Sequence, residues 1–159
     1  MTKLLLLTAT LMVLTSTAFA GGIGLHADVA SSPCDIARGG VALKVTTLDC
    51  GTPRHLSLQG RAEGIVNGKR ASLPLEVRKT TTAGVYDVAA QWPASGRWVL
   101  VFTTSRYGQN QSLIVDLGAD GGFVPVSPKE TSRGLFHIAR TETVRGKVAT
   151  ARLEELLKG

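Results

Sequence analysis

The residues best suited to chemistry are few, and they are widely spaced. They are three histidines and two cysteines: His26, His55, His137, Cys34 and Cys50. Imidazole and thiolate groups are common protein ligands of zinc and copper, so the three histidines, joined by a carboxylate, are the candidate ligands of a metal site. No two of them share a short motif, and both methionines lie in the N-terminal apolar segment. The sequence therefore predicts no metal site and no cofactor.

Motifs for catalysis are absent from the sequence. No G-x-S-x-G motif occurs, and no serine is tied by its spacing to a histidine and an acid. The adjacent carboxylates Glu154 and Glu155 fall in a predicted helix, where a solvated face accounts for them. The segment DLGADGG (116–122) lacks the later glutamate and the regular spacing of an EF-hand loop. We therefore predict no catalytic residues.

The first twenty residues, MTKLLLLTATLMVLTSTAFA, have the pattern of a secretory signal peptide. Lys3 gives a short positive region, an apolar run covers residues 4–13, and Ala18 and Ala20 occupy the small-residue positions before a cleavage site. The apolar run is shorter than the about 20 residues of a membrane span. Cleavage would leave residues 21–159 as one exported domain without a transmembrane anchor, in the periplasm or outside the cell.

The two cysteines predict a disulfide. An isolated pair in an exported protein most often bonds to itself, and Cys34 and Cys50 lie far outside the C-x-x-C spacing. Closing a loop of about 15 residues stabilises a fold by about 3 kcal/mol in the chain-entropy treatment. A metal or redox pair is the alternative interpretation.

The positive charges are numerous but scattered. Lys and Arg number 18 against 12 Asp and Glu, which gives a formal net charge of +6 at pH 7. A nucleic-acid-binding protein usually carries clustered cations with interleaved aromatic residues, and no run of cations occurs in this chain. We therefore predict a solvated basic surface and no nucleic-acid partner.

Alternation of apolar and polar residues predicts β-strands through most of the chain. The clearest candidates are VALKVTTLD (41–49), LSLQGRA (56–62), ASLPLEVRK (71–79) and QSLIVDLG (111–118). Weaker candidates are LHADVA (25–30), GGFVPVSP (121–128) and GLFHIAR (134–140). Nothing between them is long enough for a crossover helix. We expect seven to nine strands in an antiparallel β-sandwich.

Two local signals constrain the strand pairing. Asn67-Gly68 predicts a tight hairpin turn because both residues tolerate positive φ. Pro74 cannot donate a hydrogen bond to a neighbouring strand, so its strand is expected at a sheet edge or with a bulge.

The C-terminal segment KVATARLEELLKG predicts a short amphipathic helix over about 148–158. It places Ala149, Leu153, Leu156 and Leu157 on one face, and Thr150 is the expected N-terminal cap. That face is expected to pack on its own domain. Docking on a partner or on a membrane surface is the alternative.

The stretch TTTAGVYDVAAQWPASGRWVLVF (80–102) holds the largest side chains of the predicted core. We expect a hairpin that turns at residues 93–96, where proline presets φ and glycine accepts the left-handed conformation. Alternation places four aromatic residues on the core face: Tyr86, Trp92, Trp98 and Phe102. The second strand is apolar on both faces, so we expect it to be central. The Tyr86 hydroxyl is expected to donate to the backbone upstream, as in the tyrosine corner of Greek-key sandwiches.

The segment AGVYDVAAQWPASGRWVLVF resembles the YtkA-like and FixH-like domains of the bacterial envelope, in which a Gly-x-Tyr strand leads through a Pro/Gly turn into a strand with Trp near its start. The similarity covers roughly residues 41–103, and five residues carry most of it: Gly84, Tyr86, Pro93, Gly96 and Trp98. It implies an immunoglobulin-like β-sandwich outside the cytoplasm. Some relatives sit in copper-handling or oxidase-assembly settings, but the resemblance implies no specific activity.

These features predict an all-β, immunoglobulin-like antiparallel sandwich with a short C-terminal α-helix. The expected role is non-catalytic: binding, accessory or structural, toward an envelope protein or ligand that the sequence does not name. A periplasmic protein that handles copper or zinc is one alternative, and an unrecognised hydrolase is another. Neither alternative has a motif in its favour.

Overall fold

The structure, a computed structural model, describes residues 22–29, 40–118, 121–123 and 141–158. The predicted signal peptide (1–20), Cys34, His137, the strand candidate 134–140 and most of the candidate 121–128 lie outside these residues. The described strands are β1 (Ile23–Val29), β2 (Val41–Asp49), β3 (Thr52–Pro53), β4 (Ser57–Val66), β5 (Lys69–Leu75), β6 (Val77–Lys79), β7 (Val85–Ala89), β8 (Arg97–Arg106), β9 (Gln109–Asp116) and β10 (Thr141–Arg145). One α-helix, α1 (Thr150–Lys158), follows them.

The strands form two antiparallel sheets that pack face to face. The first sheet has the order β1-β2-β7-β6, with the short β3 beside β2, and the second has the order β10-β9-β8-β4-β5. Buried apolar residues of both sheets make up one core. The predicted all-β sandwich with a C-terminal helix is therefore confirmed.

Strand β8 is central in the second sheet, as its apolar sequence predicts. Its residues alternate between the two faces, so Trp98 and Phe102 lie in the core between the sheets, whereas Val99 and Val101 lie on the outer face. All four side chains are buried. A strand buried on both faces needs a third layer, and α1 supplies it.

Helix α1 covers the apolar patch on the outer face of the second sheet. Leu153 and Leu157 are buried against Val99, Val101 and Ile114. The prediction that the helix packs on its own domain is confirmed.

The ends of α1 differ slightly from the prediction. The carbonyl of Ala149 accepts the first helical hydrogen bond, from the Leu153 N–H at 3.3 Å. Ala149 is thus the N-cap residue, and Thr150 begins the helix rather than capping it. At the other end, Arg97 on β8 donates its Nε–H to the Leu156 carbonyl at 2.7 Å, which satisfies an acceptor that the last turn leaves unpaired.

The predicted hairpin between residues 86 and 102 is wrong. β7 belongs to the first sheet and β8 to the second, so residues 90–96 cross from one sheet to the other. Trp92 lies in this crossing, where its Nε1–H donates to the Gly121 carbonyl at 2.9 Å. Trp98 donates to the Ser95 carbonyl at 2.9 Å. Both rings are nevertheless buried, because the crossing itself closes one end of the core.

Three details of the strands differ from the sequence prediction. The segment ASLPLEVRK changes sheets at Glu76, so β5 and β6 are separate strands. β5 lies at the edge of the second sheet, as Pro74 predicts. β10 (TETVR) contains a single apolar residue, Val144, and was not predicted, and β3 has only two residues. The described residues therefore hold ten strands and not seven to nine.

Candidate functional site

We call one end of the sandwich the loop end, after three connections that meet there: residues 50–56, 80–84 and 107–108. The connection between β10 and α1 reaches the same end, where the Gly146 N–H donates to the Asn110 carbonyl at 2.8 Å. The strand register places the first three connections together. Thr46 on β2 lies opposite Val85 at the start of β7, and Ser57 at the start of β4 lies opposite Ser105 near the end of β8. The loop end thus joins the two sheets across the core.

Thr47, which is fully buried on β2, fixes the backbone beneath the loop end. Its N–H donates to the Gly84 carbonyl at 2.8 Å, and its own carbonyl accepts from the Arg54 N–H at 3.1 Å. Its hydroxyl donates to the Arg54 carbonyl at 2.5 Å and accepts from the Leu56 N–H at 3.4 Å. One small side chain therefore holds both ends of the 54–56 segment and the turn before β7.

Glycine is required at position 84 because the backbone approaches it closely. Its φ is +75°, and an added Cβ would lie 2.7 Å from both the Arg54 nitrogen and the Thr47 oxygen. No L side chain fits that space without moving the backbone. Gly84 therefore lets segments 80–84 and 50–56 pack directly on each other.

Tyr86 on β7, the strand that pairs with β2, adds another hydrogen bond beneath the loop end. Its buried hydroxyl donates to the backbone carbonyl of Leu56. Burial raises the pKa of the Tyr86 phenol above its ordinary value of 10.0, and a hydrogen bond with Thr47 acts in the opposite direction. The predicted bond from Tyr86 to upstream backbone is confirmed. The predicted tyrosine corner is not, because the bond ties the first sheet to the entry of β4 in the second and spans thirty residues.

The surface of the loop end carries one carboxylate between two guanidinium groups. Arg106 donates from Nη1 to Oδ2 of Asp49, and Nε of Arg54 lies 3.8 Å from the same oxygen. The Asp49 and Arg106 side chains are 17% and 19% exposed, whereas the Arg54 side chain is 61% exposed. Arg106 is thus fixed in place, and Arg54 presents its charge to solvent.

Tyr107 stands at the tip of the β8–β9 hairpin. Its φ is +51° and that of Gly108 is +74°, as a two-residue turn of the type I′ kind requires. The residue is 85% exposed. Its hydroxyl accepts from Nη2 of Arg106 at 2.7 Å, and the Arg106 guanidinium carbon lies 4.6 Å from the ring centroid. The aromatic ring is therefore held outward by a residue that is itself anchored to Asp49.

The predicted metal candidates do not form a site among the described residues. Nε2 of His26 lies 3.1 Å from Oδ1 of Asp28 on the same strand. In the part of the chain that the structure describes, no three His, Cys, Asp or Glu side chains lie close enough to hold a metal ion. His137 lies outside that part.

The alternation of LSLQGRA, extended back by one residue, predicts His55 on the outward face with Ser57 and Gln59, and this prediction is wrong. It precedes β4, so the alternation of that strand does not extend to it. Its ring packs edge-on against Tyr86, with centroids 5.2 Å apart, and its Nδ1 is buried without a hydrogen-bond partner among the described residues. His55 therefore belongs to the support of the loop end.

Cys50 opens the first of the three loops. It follows β2 with a φ of +51° and is exposed. Because Cys34 lies outside the described residues, the Cys34–Cys50 disulfide stays a prediction.

A cavity of about 240 Å³ lies between α1 and the β9–β10 edge. It is lined by Ile114, Asp116, Thr141, Glu142, Arg152 and Leu156. Its charges are already paired: Arg152 with Glu142 at 2.5 Å, and Asp116 with Arg97 at 3.5 Å. It is smaller than the about 300–1,000 Å³ of typical small-molecule pockets. The loop end, with an exposed aromatic ring and an exposed cation, is the better candidate.

Comparison with protein-family models, with curated proteins and with solved structures found no match to this chain. No helix in the described residues is both long and apolar enough to cross a membrane.

Sequence reasoning missed the surface residues of the loop end: Asp49, Arg54, Arg106 and Tyr107. One local signal was present, since Tyr107-Gly108 separates two apolar strands by two residues and predicts a hairpin tip. The meeting of Asp49 with Arg106 joins positions 57 residues apart in the chain, and no local pattern encodes it.

Proposed function

We propose that this protein is an exported, non-catalytic binding module that recognises a partner, in the periplasm or outside the cell, through its loop end. The observation that carries the proposal is the presentation of Tyr107. Among the described residues it is the one large hydrophobic side chain that is exposed. Tyrosine and arginine are the residue types that most often dominate binding energy at protein interfaces.

The strand order supports an immunoglobulin-like architecture. The order β1-β2-β7-β6 facing β9-β8-β4-β5 corresponds to strands A-B-E-D facing G-F-C-C′, and β10 is an addition beside β9. In that scheme residues 50–56 form the B–C loop and residues 107–108 the F–G loop. These are two of the loops with which immunoglobulin variable domains bind their targets.

The N-terminal segment and the resemblance to YtkA-like and FixH-like domains support an envelope location. The buried hydrogen bonds of Thr47 and Tyr86 also fit a binding role, because a rigid surface loses little conformational freedom when it binds. The Cys50 thiol of the loop end contacts Oδ1 of Asp49 at 3.8 Å, but that carboxylate is already paired with Arg106, so binding fits these residues better than catalysis does.

The test is site-specific photo-crosslinking in cells that produce the protein. A photoreactive phenylalanine analogue is placed at position 107 and, as a matched control, at position 67. Asn67-Gly68 forms a turn of the same kind at the opposite end, with φ values of +51° and +73°. We expect a discrete adduct from position 107 and none from position 67. The absence of an adduct at 107, or equal adducts at both positions, contradicts the proposal.

A further inference from the structure

The loop end has an unbalanced positive charge. Asp49 is one carboxylate between two guanidinium groups, and the segments 50–56, 80–84 and 107–108 contain no Asp or Glu. Arg106 donates hydrogen bonds to Asp49 and to the Tyr107 hydroxyl. Arg54 contacts Asp49 through Nε at 3.8 Å and keeps most of its side chain in solvent. Of the two guanidinium groups beside Asp49, Arg54 therefore carries the uncompensated charge.

We infer that the partner is a protein that presents an acidic segment, with a carboxylate for Arg54 beside an apolar pocket for the Tyr107 ring. This inference rests on the proposed binding role. A guanidinium offers a planar set of N–H donors that a carboxylate accepts in pairs. The ring of Tyr107 projects from a hairpin tip, so the complementary surface is concave.

An anionic membrane fits the same residues less well. Peripheral attachment to acidic lipids usually needs clusters of about four to eight cations. The three segments, the residues that flank them and the β10–α1 connection beside the β8–β9 hairpin supply five cations, spread over four separate parts of the chain: Arg54, Lys79, Arg106, Arg145 and Lys147. Arg106 is already paired with Asp49. One pocket and one carboxylate on a protein use both Tyr107 and Arg54, whereas attachment to a lipid surface depends on clustered cations.

The rigidity of the pair supports recognition of a defined shape. The Arg106 guanidinium holds the Tyr107 ring from below, and the backbone of Arg54 is fixed by Thr47 through two hydrogen bonds. The Tyr107 ring is thus anchored to Asp49 through Arg106, and the backbone that carries Arg54 is anchored to Thr47. A matching partner needs an apolar pocket and a carboxylate near each other, which favours a specific segment over a diffuse negative surface.

The experiment measures the adduct formed by the photoreactive residue at position 107 in four backgrounds. They are the otherwise unchanged protein, Arg54→Glu, Arg54→Ala and the charge-matched control Lys69→Glu, which lies beside the opposite hairpin turn. Arg54→Ala removes the cation without placing a second carboxylate beside Asp49. The melting temperature of each purified variant shows that the fold is kept.

We expect both Arg54 variants to lower the adduct yield roughly tenfold, equivalent to about 1.4 kcal/mol, and Lys69→Glu to change it less than twofold. Mass spectrometry of the adduct should identify a protein segment with Asp or Glu near the crosslinked residue. Equal yields in all backgrounds, a lipid adduct, or a segment without carboxylates would overturn the inference while the binding role stands. If the unchanged protein gives no adduct, the binding role fails and the inference fails with it.

Discussion

Gly64 on β4 lies directly opposite Trp98 on β8, and the indole ring occupies the space where a side chain at position 64 would be. A Cβ added at Gly64 would lie within 2.5 Å of Cδ2 of Trp98. The missing side chain therefore lets the largest fully buried residue lie flat on the neighbouring strand. Packing of this kind is specified by two residues more than thirty positions apart.

We predict that Gly64→Ala destabilises the protein by about 1–3 kcal/mol, because overpacking forces the indole or the strand to move. Urea unfolding monitored by tryptophan fluorescence and by circular dichroism measures the change. Trp98→Ala alone should cost about 3–5 kcal/mol, as expected for loss of a large core residue. In the Trp98→Ala background, Gly64→Ala should lower the free energy of unfolding only slightly, because the indole ring that the added methyl group would clash with is absent. Equal costs of Gly64→Ala in both backgrounds would refute the contact.

Tyr86→Phe removes the hydroxyl that reaches Leu56 and leaves the ring in place. The buried carbonyl of Leu56 then lacks that donor, so we expect a loss of about 1–3 kcal/mol in the free energy of unfolding. Tyr107→Phe is the matched control, because its hydroxyl is at the surface, and it should change stability by less than about 0.5 kcal/mol. Equal stability of the two variants would show that the Tyr86 bond contributes nothing.

The raised pKa of Tyr86 predicts a loss of stability at alkaline pH. Burial favours the neutral phenol in the folded state, whereas the unfolded chain ionises near pH 10. Between those two pKa values the folded state binds a proton that the unfolded state has released, so the free energy of unfolding falls as pH rises above about 10. Chemical unfolding from pH 8 to 11.5 measures this slope, and Tyr86→Phe should lack this contribution. Identical slopes in the two proteins would contradict the burial assignment.

The disulfide between Cys34 and Cys50 remains a prediction of the sequence. Residues 21–159, the form that the predicted signal cleavage would leave, should show no reactive thiol with Ellman's reagent in denaturant, and two after reduction. Reduction should lower the stability by about 3 kcal/mol. Two reactive thiols before reduction would refute the disulfide. The double variant Cys34→Ser, Cys50→Ser is the control for any effect of the reductant itself on stability.

The sequence was sufficient for features that depend on nearby residues. The period-two alternation located β2, β4, β8 and β9, and Asn67-Gly68 located a hairpin turn, because side-chain direction and turn geometry are local properties. The burial of Trp98 and Phe102 followed from the same alternation.

Pairing between strands was less accessible from the sequence. Alternation shows which side chains of β7 and β8 face inward, but a strand pair within one sheet and a crossing between two sheets give the same pattern. For the same reason, the sequence does not reveal that β5 and β6 belong to different sheets. The support of the loop end depends on Thr47, which alternation alone assigns only to a core face.

The central claim is that Tyr107 is displayed for a partner and is not part of the support of the fold. Tyr107→Ala tests it most directly, by measuring in one preparation the melting temperature of the purified protein and the yield of the complex trapped by a photoreactive residue at neighbouring Gln109. The account predicts an unchanged melting temperature and loss of the trapped complex. A complex that survives Tyr107→Ala with undiminished yield, or a melting temperature that falls by several degrees, would contradict it.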